Sequence, residues 1–549
     1  MKKVFFTLYS VVSFVVAMTA QDLTPKLDAI LARYNLPDKP GLSVGVFKNG
    51  KPIYKQSFGL ANLDYGIKNS DSTAFSIASI AKQFTAACVW KLVENGQLSL
   101  DDDIRKHLPE FPDYGHEIKI RHLLNHTSGI RNYHTLMHLS GFNYDTDYYD
   151  NQTVLELAIK QKSLNNIPGQ KMIYSNTPYN LLAIIIERIS GKNLHEFASE
   201  NFFRPLEMKN TLICTENNSV IKNRAIGYVE NDNKSYSQFP RIQRSYGAGS
   251  MVSTVNDLAK WSEILYRGKP ELAALSDFLA TSEKLQSGKL SDYARGVMVD
   301  SYKGFKTVHH SGSGLGGHSQ LLVVPELQLS IMLLSNLDHI NPTPISYQIL
   351  DLFLPEPQQE KVRNRKKYVV KSNDISQFAG HYKEIDSDMK MEIILENDTL
   401  KSKGSQSKQA TALKAYDKNK FYRQNNESVK YEFNREKDAM YDLAIFFGGT
   451  PFYFKRAVFV KPEDVAIQDY IGSYFSEELN IAYLVFQEDQ QLYLSYRNHP
   501  KIRLFAGQRD EFGANDRVLY HFGRDQLGKV DRLLVSSEGS VQNIKFVRN

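Results

Sequence analysis

The sequence predicts an α+β fold, with an antiparallel sheet flanked by helices, followed by two small all-β barrel modules. Strand-like segments lie at both ends of the region 21–354, and segments between them have helical spacing of apolar residues. Strands at both ends with helices between favour one sheet assembled from the two ends of the domain. The predicted strands are 42–47, 53–58, 306–311, 319–324 and 328–335, and the main predicted helices are 79–95, 178–190 and 254–267.

Local signals support the boundaries of these elements. Asn49-Gly50 is a tight hairpin signal between the first two strands. Thr254 and Asp257 are cap residues for the third helix, and Gly268 is a stop signal. Pro325-Glu326 joins the last two strands.

An internal repeat predicts the two all-β modules. Phe378-Ala-Gly-His-Tyr382 recurs 92 residues later as Tyr470-Ile-Gly-Ser-Tyr474, and Phe454-Lys-Arg456 recurs at the same offset as Phe546-Val-Arg548. Each repeat is long enough for about eight short strands, and hence for a small up-and-down barrel. A single irregular β-sandwich is the alternative. The predicted modules are residues 373–460 and 461–549.

Residues 1–20 have the features of a secretory signal peptide. Lys2 and Lys3 precede an apolar run over 4–17, and Ala20 offers a small residue for cleavage. The run is shorter than the roughly 20 apolar residues that span a bilayer, so no transmembrane segment is expected. The sequence therefore predicts an exported protein that is periplasmic or secreted.

The net charge of +6 comes largely from one short stretch. Six basic residues and no acid lie between Lys361 and Lys371, so the segment 355–372 is predicted to be a basic linker. Nucleic-acid binding would need basic residues spread over a folded surface with interleaved aromatics, so nucleic acid is not a predicted partner. Cys88 and Cys214 do not make a disulfide framework, and their pairing stays open.

The main candidate for chemistry is Ser79-Ile-Ala-Lys82. Ser-x-x-Lys occurs four times in the chain, but only here does it open a segment with a strong apolar helical face. Serine and lysine three residues apart at a helix start share one face, so the amine can reach the hydroxyl. A serine hydroxyl needs a base to become a nucleophile, and lysine can serve if its pKa is lowered. The motif predicts Ser79 as nucleophile and Lys82 as its activator.

Two later motifs can complete such a site. Tyr174 and Asn176 lie two residues apart in an extended loop, so their side chains are expected to point the same way. The phenol can shuttle a proton, and the amide can hold the lysine and a substrate carbonyl. The segment from His310 ends a strand with a glycine, which lets substrate approach, and a following N–H can stabilise an oxyanion. The predicted substrate-binding residues are Asn176, His310, Gly312 and Ser313.

Two other patterns compete with this site. Gly41-Leu-Ser43-Val-Gly45 matches the Gly-x-Ser-x-Gly elbow of α/β-hydrolases, which needs a strand, a sharp turn and a helix. Ser43 lies instead within a pattern that continues as a strand to the hairpin. His122 and His126 lack the glutamate of a His-Glu-x-x-His site, and no third ligand is evident. The sequence therefore predicts neither a metal nor a cofactor.

With these motifs the chain resembles the class C β-lactamase-related serine hydrolases, among them D-alanyl-D-alanine carboxypeptidases, D-aminopeptidases and esterases. The resemblance covers about residues 25–340, and the framing segments 121–129, 253–259 and 333–336 share it. It implies a β-lactamase or penicillin-binding fold. It also implies roles for four residues: Ser79 as nucleophile, Lys82 and Tyr174 as the acid–base pair, and Asn176 as anchor for substrate and lysine.

The third motif departs from the family pattern. β-Lactamases and carboxypeptidases of this kind carry lysine where this chain has His310. Histidine is mostly neutral near pH 7, which disfavours recognition of a substrate carboxylate. Histidine at this position is similar to the D-aminopeptidases, which also carry two β-barrels after the hydrolase domain.

The resemblance implies a serine hydrolase that cleaves an amide or ester of a small-molecule or peptide substrate through an acyl-enzyme, and the predicted signal peptide implies that it is exported. Within this hypothesis, aminopeptidase and esterase activity are about equally favoured. The alternative is a catalytically weak penicillin-recognising protein whose barrels bind a ligand or cell-wall fragment. All predicted site residues precede the linker, and the hydrolase region of about 330 residues is large enough for its own core. A chain ending near Pro355 is therefore expected to stay folded. The barrels are expected to tune access, with the turn 447–451 as the candidate loop. The oligomeric state stays open.

Overall fold

The fold was analysed in a computed structural model of the chain. It describes residues 23–549 with gaps at 144–145, 292, 356–371, 386–388, 405–406, 408, 437–438, 448–450, 462–463, 498 and 515–516. The predicted signal peptide, most of the predicted linker and the centre of the turn 447–451 lie outside the described residues. Within the described part of the chain, no helix combines the length and apolarity that a membrane crossing requires.

The first domain contains thirteen strands within its described residues. They are β1 Leu42–Lys48, β2 Lys51–Phe58, β3 Leu60–Asn62, β4 Ile67–Lys68, β5 Phe75–Ser76, β6 Leu212–Ile213, β7 Tyr228–Glu230, β8 Tyr236–Gln238, β9 Met251–Ser253, β10 Met298–Tyr302, β11 Phe305–Gly314, β12 Gly317–Val324 and β13 Leu329–Ser335. The main sheet has the antiparallel order β10-β11-β12-β13-β1-β2. The N-terminal hairpin is therefore joined to the C-terminal strands, as the sequence predicts.

Helices cover both faces of this sheet. They are α1 Thr24–Leu31, α2 Lys82–Glu94, α3 Ile120–Leu124, α4 Tyr133–Leu139, α5 Asn151–Ile159, α6 Thr177–Ser190, α7 Leu194–Ala198, α8 Val255–Leu265, α9 Ala273–Leu279 and α10 Pro342–Asp351. One core joins α2, α6 and α8 to the sheet, and a second lies between the sheet and the terminal helices α1 and α10. The predicted α+β fold is confirmed.

The segment before α2 differs from the helix predicted at 79–95. Ala78–Ala81 forms a 3-10 turn, and the α-helix begins only at Lys82. Ala78 has a φ of 44°, in the left-handed region, so a regular α-helix cannot extend back through it. Ser79 therefore lies on a tight turn at the entrance to the helix.

The first all-β module is a closed antiparallel barrel preceded by the short helix α11 Ser372–Ile375. Its eight strands follow one another around the barrel in chain order. They are β14 Gly380–Glu384, β15 Lys390–Glu396, β16 Thr399–Gly404, β17 Thr411–Asp417, β18 Lys420–Arg423, β19 Asn426–Phe433, β20 Leu443–Phe447 and β21 Pro451–Arg456.

The second module has the same up-and-down order. Its strands are β22 Gly472–Ser476, β23 Ile481–Glu488, β24 Gln491–Ser495, β25 Ile502–Arg503, β26 Phe505–Ala506, β27 Glu511–Gly513, β28 Val518–Arg524, β29 Val530–Ser537 and β30 Val541–Arg548. β25 pairs with β24 and β26 pairs with β27, while only Leu504 separates β25 from β26. These two segments act as one bent strand that closes an eight-stranded barrel, so the predicted barrels are confirmed and the single sandwich is wrong.

The repeated sequence motif closes each barrel in the same way. Tyr382 pairs with Arg456 across the seam of the first barrel, and Tyr474 pairs with Arg548 across the seam of the second. The phenol of Tyr382 donates a 2.8 Å hydrogen bond to the carbonyl of Phe378, and Tyr474 makes the equivalent 2.8 Å bond. The constant offset in the sequence therefore reflects one closing device used twice.

The second barrel packs directly against the first domain. Leu136 and Leu139 of α4 are buried in the same apolar cluster as the interior of this barrel. The phenol of Tyr483 donates a 2.6 Å hydrogen bond to the carbonyl of Leu139. Residues 21–354 are predicted to fold without the barrels, but part of their apolar core is shared with the second barrel.

A buried ion pair crosses the same boundary. Arg131 Nη1 lies 2.5 Å from Glu478 Oε2, and the two side chains are 0% and 6% exposed. Glu478 also accepts a 2.9 Å hydrogen bond from the backbone N–H of Lys162. Arg131 Nη2 donates to the backbone carbonyl of Gln542 at 2.6 Å. Removing the barrel would take away the carboxylate and the carbonyl that this guanidinium contacts there and leave it the neutral acceptors Gln161 and Ser163, so the contact is a structural joint between the domains.

Glu478→Gln is expected to weaken this joint, because it removes the charge that compensates Arg131 while keeping the shape of the side chain. Breaking a buried ion pair costs about 3 kcal/mol or more. Urea unfolding should show this loss as a lower midpoint than that of the wild type.

The matched control is Glu488→Gln, which removes the acid of the Glu488–Lys501 pair on the same barrel. That pair is exposed, with side chains 42% and 52% accessible, and should contribute little. Equal midpoints for Glu478→Gln and Glu488→Gln would contradict the structural role of the buried pair.

Candidate active site

Ser79 is placed by a close approach between its turn and strand β11. A Cβ atom at Gly312 would lie 2.3 Å from the carbonyl oxygen of Ile77 and 3.1 Å from Ala78 Cβ. Ser319 Oγ on the neighbouring strand donates a 2.8 Å hydrogen bond to the same Ile77 carbonyl. Gly312 was predicted to admit substrate, but its immediate neighbour is the protein's own turn. The absence of a side chain there lets the strand hold Ser79 at the sheet edge.

The amine of Lys82 lies at the centre of the site. It is 3.0 Å from Ser79 Oγ, 2.8 Å from Asn176 Oδ1 and 2.7 Å from the backbone carbonyl oxygen of Ala248. The Lys82 side chain is fully buried, and no acid contacts it among the described residues. Ser79 and Lys82 are brought together as the motif predicts, and Asn176 joins them.

Burial lowers the pKa of Lys82 well below its ordinary value, because the charged amine loses its hydration. A neutral amine has two N–H donors and one lone pair. The carbonyl oxygens of Asn176 and Ala248 can take the two donors, which leaves the lone pair for the hydroxyl of Ser79. This arrangement suits Lys82 to remove the serine proton.

Tyr174 lies on the other side of the same hydroxyl. Lys82 Nζ is 5.0 Å from the centre of its ring. Burial raises the pKa of the Tyr174 phenol, and a hydrogen bond with Ser79 opposes that rise. The ring is held by His126, whose own ring lies 4.3 Å away between centroids. Tyr174 is therefore kept as a protonated donor beside Ser79.

Asn176 is held by residues that the sequence analysis did not single out. Its side-chain N–H₂ group donates to Nδ1 of His134 at 3.2 Å, and its backbone N–H donates to Asn132 Oδ1 at 3.1 Å. The backbone N–H of Asn132 in turn donates to the carbonyl of Ser540 in the second barrel at 3.2 Å. A continuous path of hydrogen bonds therefore links the second barrel to the amide that holds Lys82.

His310 lies behind the cleft and is 4% exposed. Its Nδ1 donates to the carbonyl of Ser311 at 2.5 Å, which leaves Nε2 to accept from the Tyr293 hydroxyl at 3.1 Å. Burial lowers the pKa of His310 to about 3, because the charged imidazolium would lose its hydration. The imidazole is therefore neutral at pH 7 and engaged with the protein, where sequence reasoning expected a substrate-binding side chain.

A cavity of about 380 Å³ opens over Ser79. Asn176 and Ser313 line it, as predicted for substrate-binding residues. Among the described lining residues Asp338 is the one acid, and there is no lysine or arginine. The Asp338 side chain is 40% exposed, and its Oδ1 is shielded from water, has no hydrogen-bond donor within the described chain and lies 3.8 Å from His339 Nδ1. The cleft therefore offers a negative charge to a substrate.

The competing patterns form no second site. Ser43 lies inside β1, is 1% exposed and shares a 2.8 Å hydrogen bond with Ser57, so the strand–turn–helix elbow is absent here. Nδ1 of His122 accepts from the backbone N–H of Lys119 at 3.1 Å. His126 accepts from the backbone N–H of Ser175 at 3.3 Å. In the described residues no group of three potential ligands could hold a metal, and both cysteines are free and buried.

Comparison with known proteins agrees with this architecture. The family model described as Beta-lactamase matches residues 28–351. Protein flp of Staphylococcus aureus is 28% identical over 309 residues, which cover 54% of this chain and 60% of that protein's length.

Two solved structures show the same fold. The octameric penicillin-binding protein homologue from Pyrococcus abyssi has a TM-score of 0.56 at 21% identity, covering 88% of this chain and 100% of that one. D-amino acid amidase from Ochrobactrum anthropi SV3 has a TM-score of 0.50 at 22% identity, covering 60% of this chain and 98% of that one. By the extent of the family match, the chain belongs to the beta-lactamase family.

Proposed function

We propose that this chain is a serine hydrolase that cleaves an amide or an ester through an acyl-enzyme on Ser79. The observation that carries the proposal is the desolvated amine of Lys82, 3.0 Å from Ser79 Oγ and bound by two carbonyl oxygens on its other sides. A serine hydroxyl that lines an open cavity and is hydrogen-bonded to a base with a lowered pKa is an activated nucleophile. A binding protein would not need this arrangement.

The proposed reaction has two halves. Neutral Lys82 takes the proton of Ser79 as Oγ attacks the substrate carbonyl, and a tetrahedral oxyanion forms. The carbon–heteroatom bond then breaks, and Tyr174 protonates the leaving amine or alcohol while Lys82 returns a proton to the phenolate. In the second half, Lys82 takes a proton from a water molecule as the water oxygen attacks the acyl-enzyme ester. The bond to Ser79 Oγ then breaks, Lys82 returns the proton to Oγ, and the acid product is released.

The charges of the site favour substrates with an amine on the acyl side. A neutral, buried His310 gives no positive charge to a substrate carboxylate, whereas Asp338 offers a carboxylate in the cleft. An ammonium group beside Asp338 would gain a charge-assisted hydrogen bond. This supports aminopeptidase over carboxypeptidase or efficient β-lactamase activity, and the fold shared with the D-amino acid amidase is consistent with it. The N-terminal segment supports export to the periplasm or medium.

Ser79→Ala is expected to abolish labelling by a fluorophosphonate probe, because the oxygen that the probe phosphonylates would be missing. Turnover of any substrate should fall about 10³-fold or more, as when other covalent nucleophiles are removed. Intact-mass analysis of the labelled protein and steady-state rates would measure both effects.

Ser43→Ala is the matched control and should still be labelled, because Ser43 is buried in the sheet. Labelling that disappears in Ser43→Ala and persists in Ser79→Ala would overturn the proposed nucleophile.

Asp338→Asn is expected to lower kcat/KM for an aminoacyl anilide about fivefold relative to a neutral ester, since it removes the charge offered to the ammonium group. A panel of a neutral ester, a D-aminoacyl anilide, an L-aminoacyl anilide and a cephalosporin would measure this. The two anilides also report stereochemical preference. If the anilide and the ester lose activity equally in Asp338→Asn, the Asp338 carboxylate does not bind the ammonium group of the substrate.

A further inference from the structure

A second cavity of about 140 Å³ adjoins the catalytic cleft. The two cavities share part of their walls, so they lie side by side. The residues common to both linings are Ser76, Phe239, Ser250, Leu315 and Gly317.

The smaller cavity carries two positive charges. Arg224 and Arg241 line it, and none of its described lining residues is acidic. The larger cavity has the opposite charge, with Asp338 and neither arginine nor lysine in its described lining. The two adjoining cavities are thus of opposite sign.

Arg241 is only partly satisfied by the protein. Its Nη2 donates to backbone carbonyl oxygens of a nearby loop, at 2.7 Å to Asn217 and 3.2 Å to Glu216 and Ser219. Its Nε and Nη1 are shielded from water and have no oxygen or nitrogen acceptor in the described chain, and the neutral thiol of Cys214, a weak acceptor, is the polar side chain that interacts with this guanidinium. Buried donors without an acceptor are rare and costly, so the missing acceptor calls for an explanation.

The neighbouring groups do not neutralise this arginine. The carboxylate of Glu216 is engaged by Arg244 at 2.5 Å. Burial raises the pKa of the Cys214 thiol despite the nearby arginines, so the thiol stays neutral. Arg224 adds a second charge, and burial together with repulsion from Arg241 lowers its pKa. Two half-buried guanidinium groups therefore face one cavity without a compensating anion in the described chain.

We propose that this cavity is an anion subsite of the catalytic cleft, in which Arg224 and Arg241 bind a carboxylate carried by the substrate. A carboxylate has the geometry that guanidinium groups recognise, and it would compensate both charges. The proposal rests on the hydrolase function proposed above. It moves carboxylate recognition from the position of His310 to the cavity wall beside Ser76 and Ser250.

The test uses two pairs of substrates that differ only in a terminal carboxylate or carboxamide. One pair is the 4-nitrophenyl half-ester of adipic acid and its terminal amide, which places the charge on the acyl side. The other is the D-alanyl anilide of 4-aminophenylacetic acid and that of its amide, which places it on the leaving group. The wild type should prefer the acid of at least one pair roughly tenfold in kcat/KM, as for a charge-assisted hydrogen bond.

Arg224→Gln and Arg241→Gln should each reduce that preference while leaving turnover of the amide nearly unchanged. Arg224→Gln is the cleaner variant, because Arg241 also holds the loop carbonyls. The matched control is Arg244→Gln, an arginine of the same region whose charge is already paired with Glu216, and it should keep the preference. Equal turnover of acid and amide by the wild type, or a preference that survives both variants, would overturn the proposal.

Failure of the hydrolase proposal would look different. If no member of either pair is turned over, calorimetry with adipate on Ser79→Ala tests the subsite by binding alone. Binding that is lost in Ser79→Ala/Arg224→Gln supports the subsite without catalysis. Absence of adipate binding to Ser79→Ala overturns it.

Discussion

The site depends on the burial of one amine without a counter-charge. Lys82 is fully enclosed, and its nitrogen meets two carbonyl oxygens and one hydroxyl. A carboxylate in contact with this amine would favour its charged form, and a protonated Lys82 could not take the proton of Ser79 in the proposed reaction. With neutral acceptors only, desolvation dominates, and the lone pair is left facing Ser79. The identity and placement of the surrounding groups follow from this constraint.

The groups around the amine are accordingly neutral. Burial lowers the pKa values of His134 and His310 to about 3, and burial raises the pKa of Tyr174. Each of these side chains supports the site through hydrogen bonds or ring contacts and brings no charge. The formal charges lie in the cavity walls and not in contact with Lys82: Asp338 is negative, and the arginines of the adjoining cavity are positive. There they can discriminate between substrates without changing the protonation of Lys82.

The second barrel takes part in holding this arrangement. Its Ser540 carbonyl fixes Asn132, which fixes Asn176, which fixes Lys82. The buried Arg131–Glu478 pair anchors the residue directly before Asn132 to the same barrel. A barrel far along the sequence thus helps to hold the buried amine of Lys82 in place, so the domain boundary in the sequence does not bound the support of the site.

The sequence by itself determined the α+β sheet, the two barrels and the pairing of Ser79 with Lys82, because apolar periodicity, a repeated motif and a three-residue spacing can be read directly from the chain. Tyr174 and Asn176 were expected to join this pair from their motifs and the family resemblance, and only the folded chain brings Asn176 to Lys82 across 94 residues. The sequence did not determine the burial of His310, the role of Gly312 in seating the Ser79 turn, or the interdomain pair of Arg131 and Glu478. Those depend on groups up to 347 residues apart. Burial, and with it each shifted pKa, is set by what packs around a side chain, and only the tertiary structure decides that.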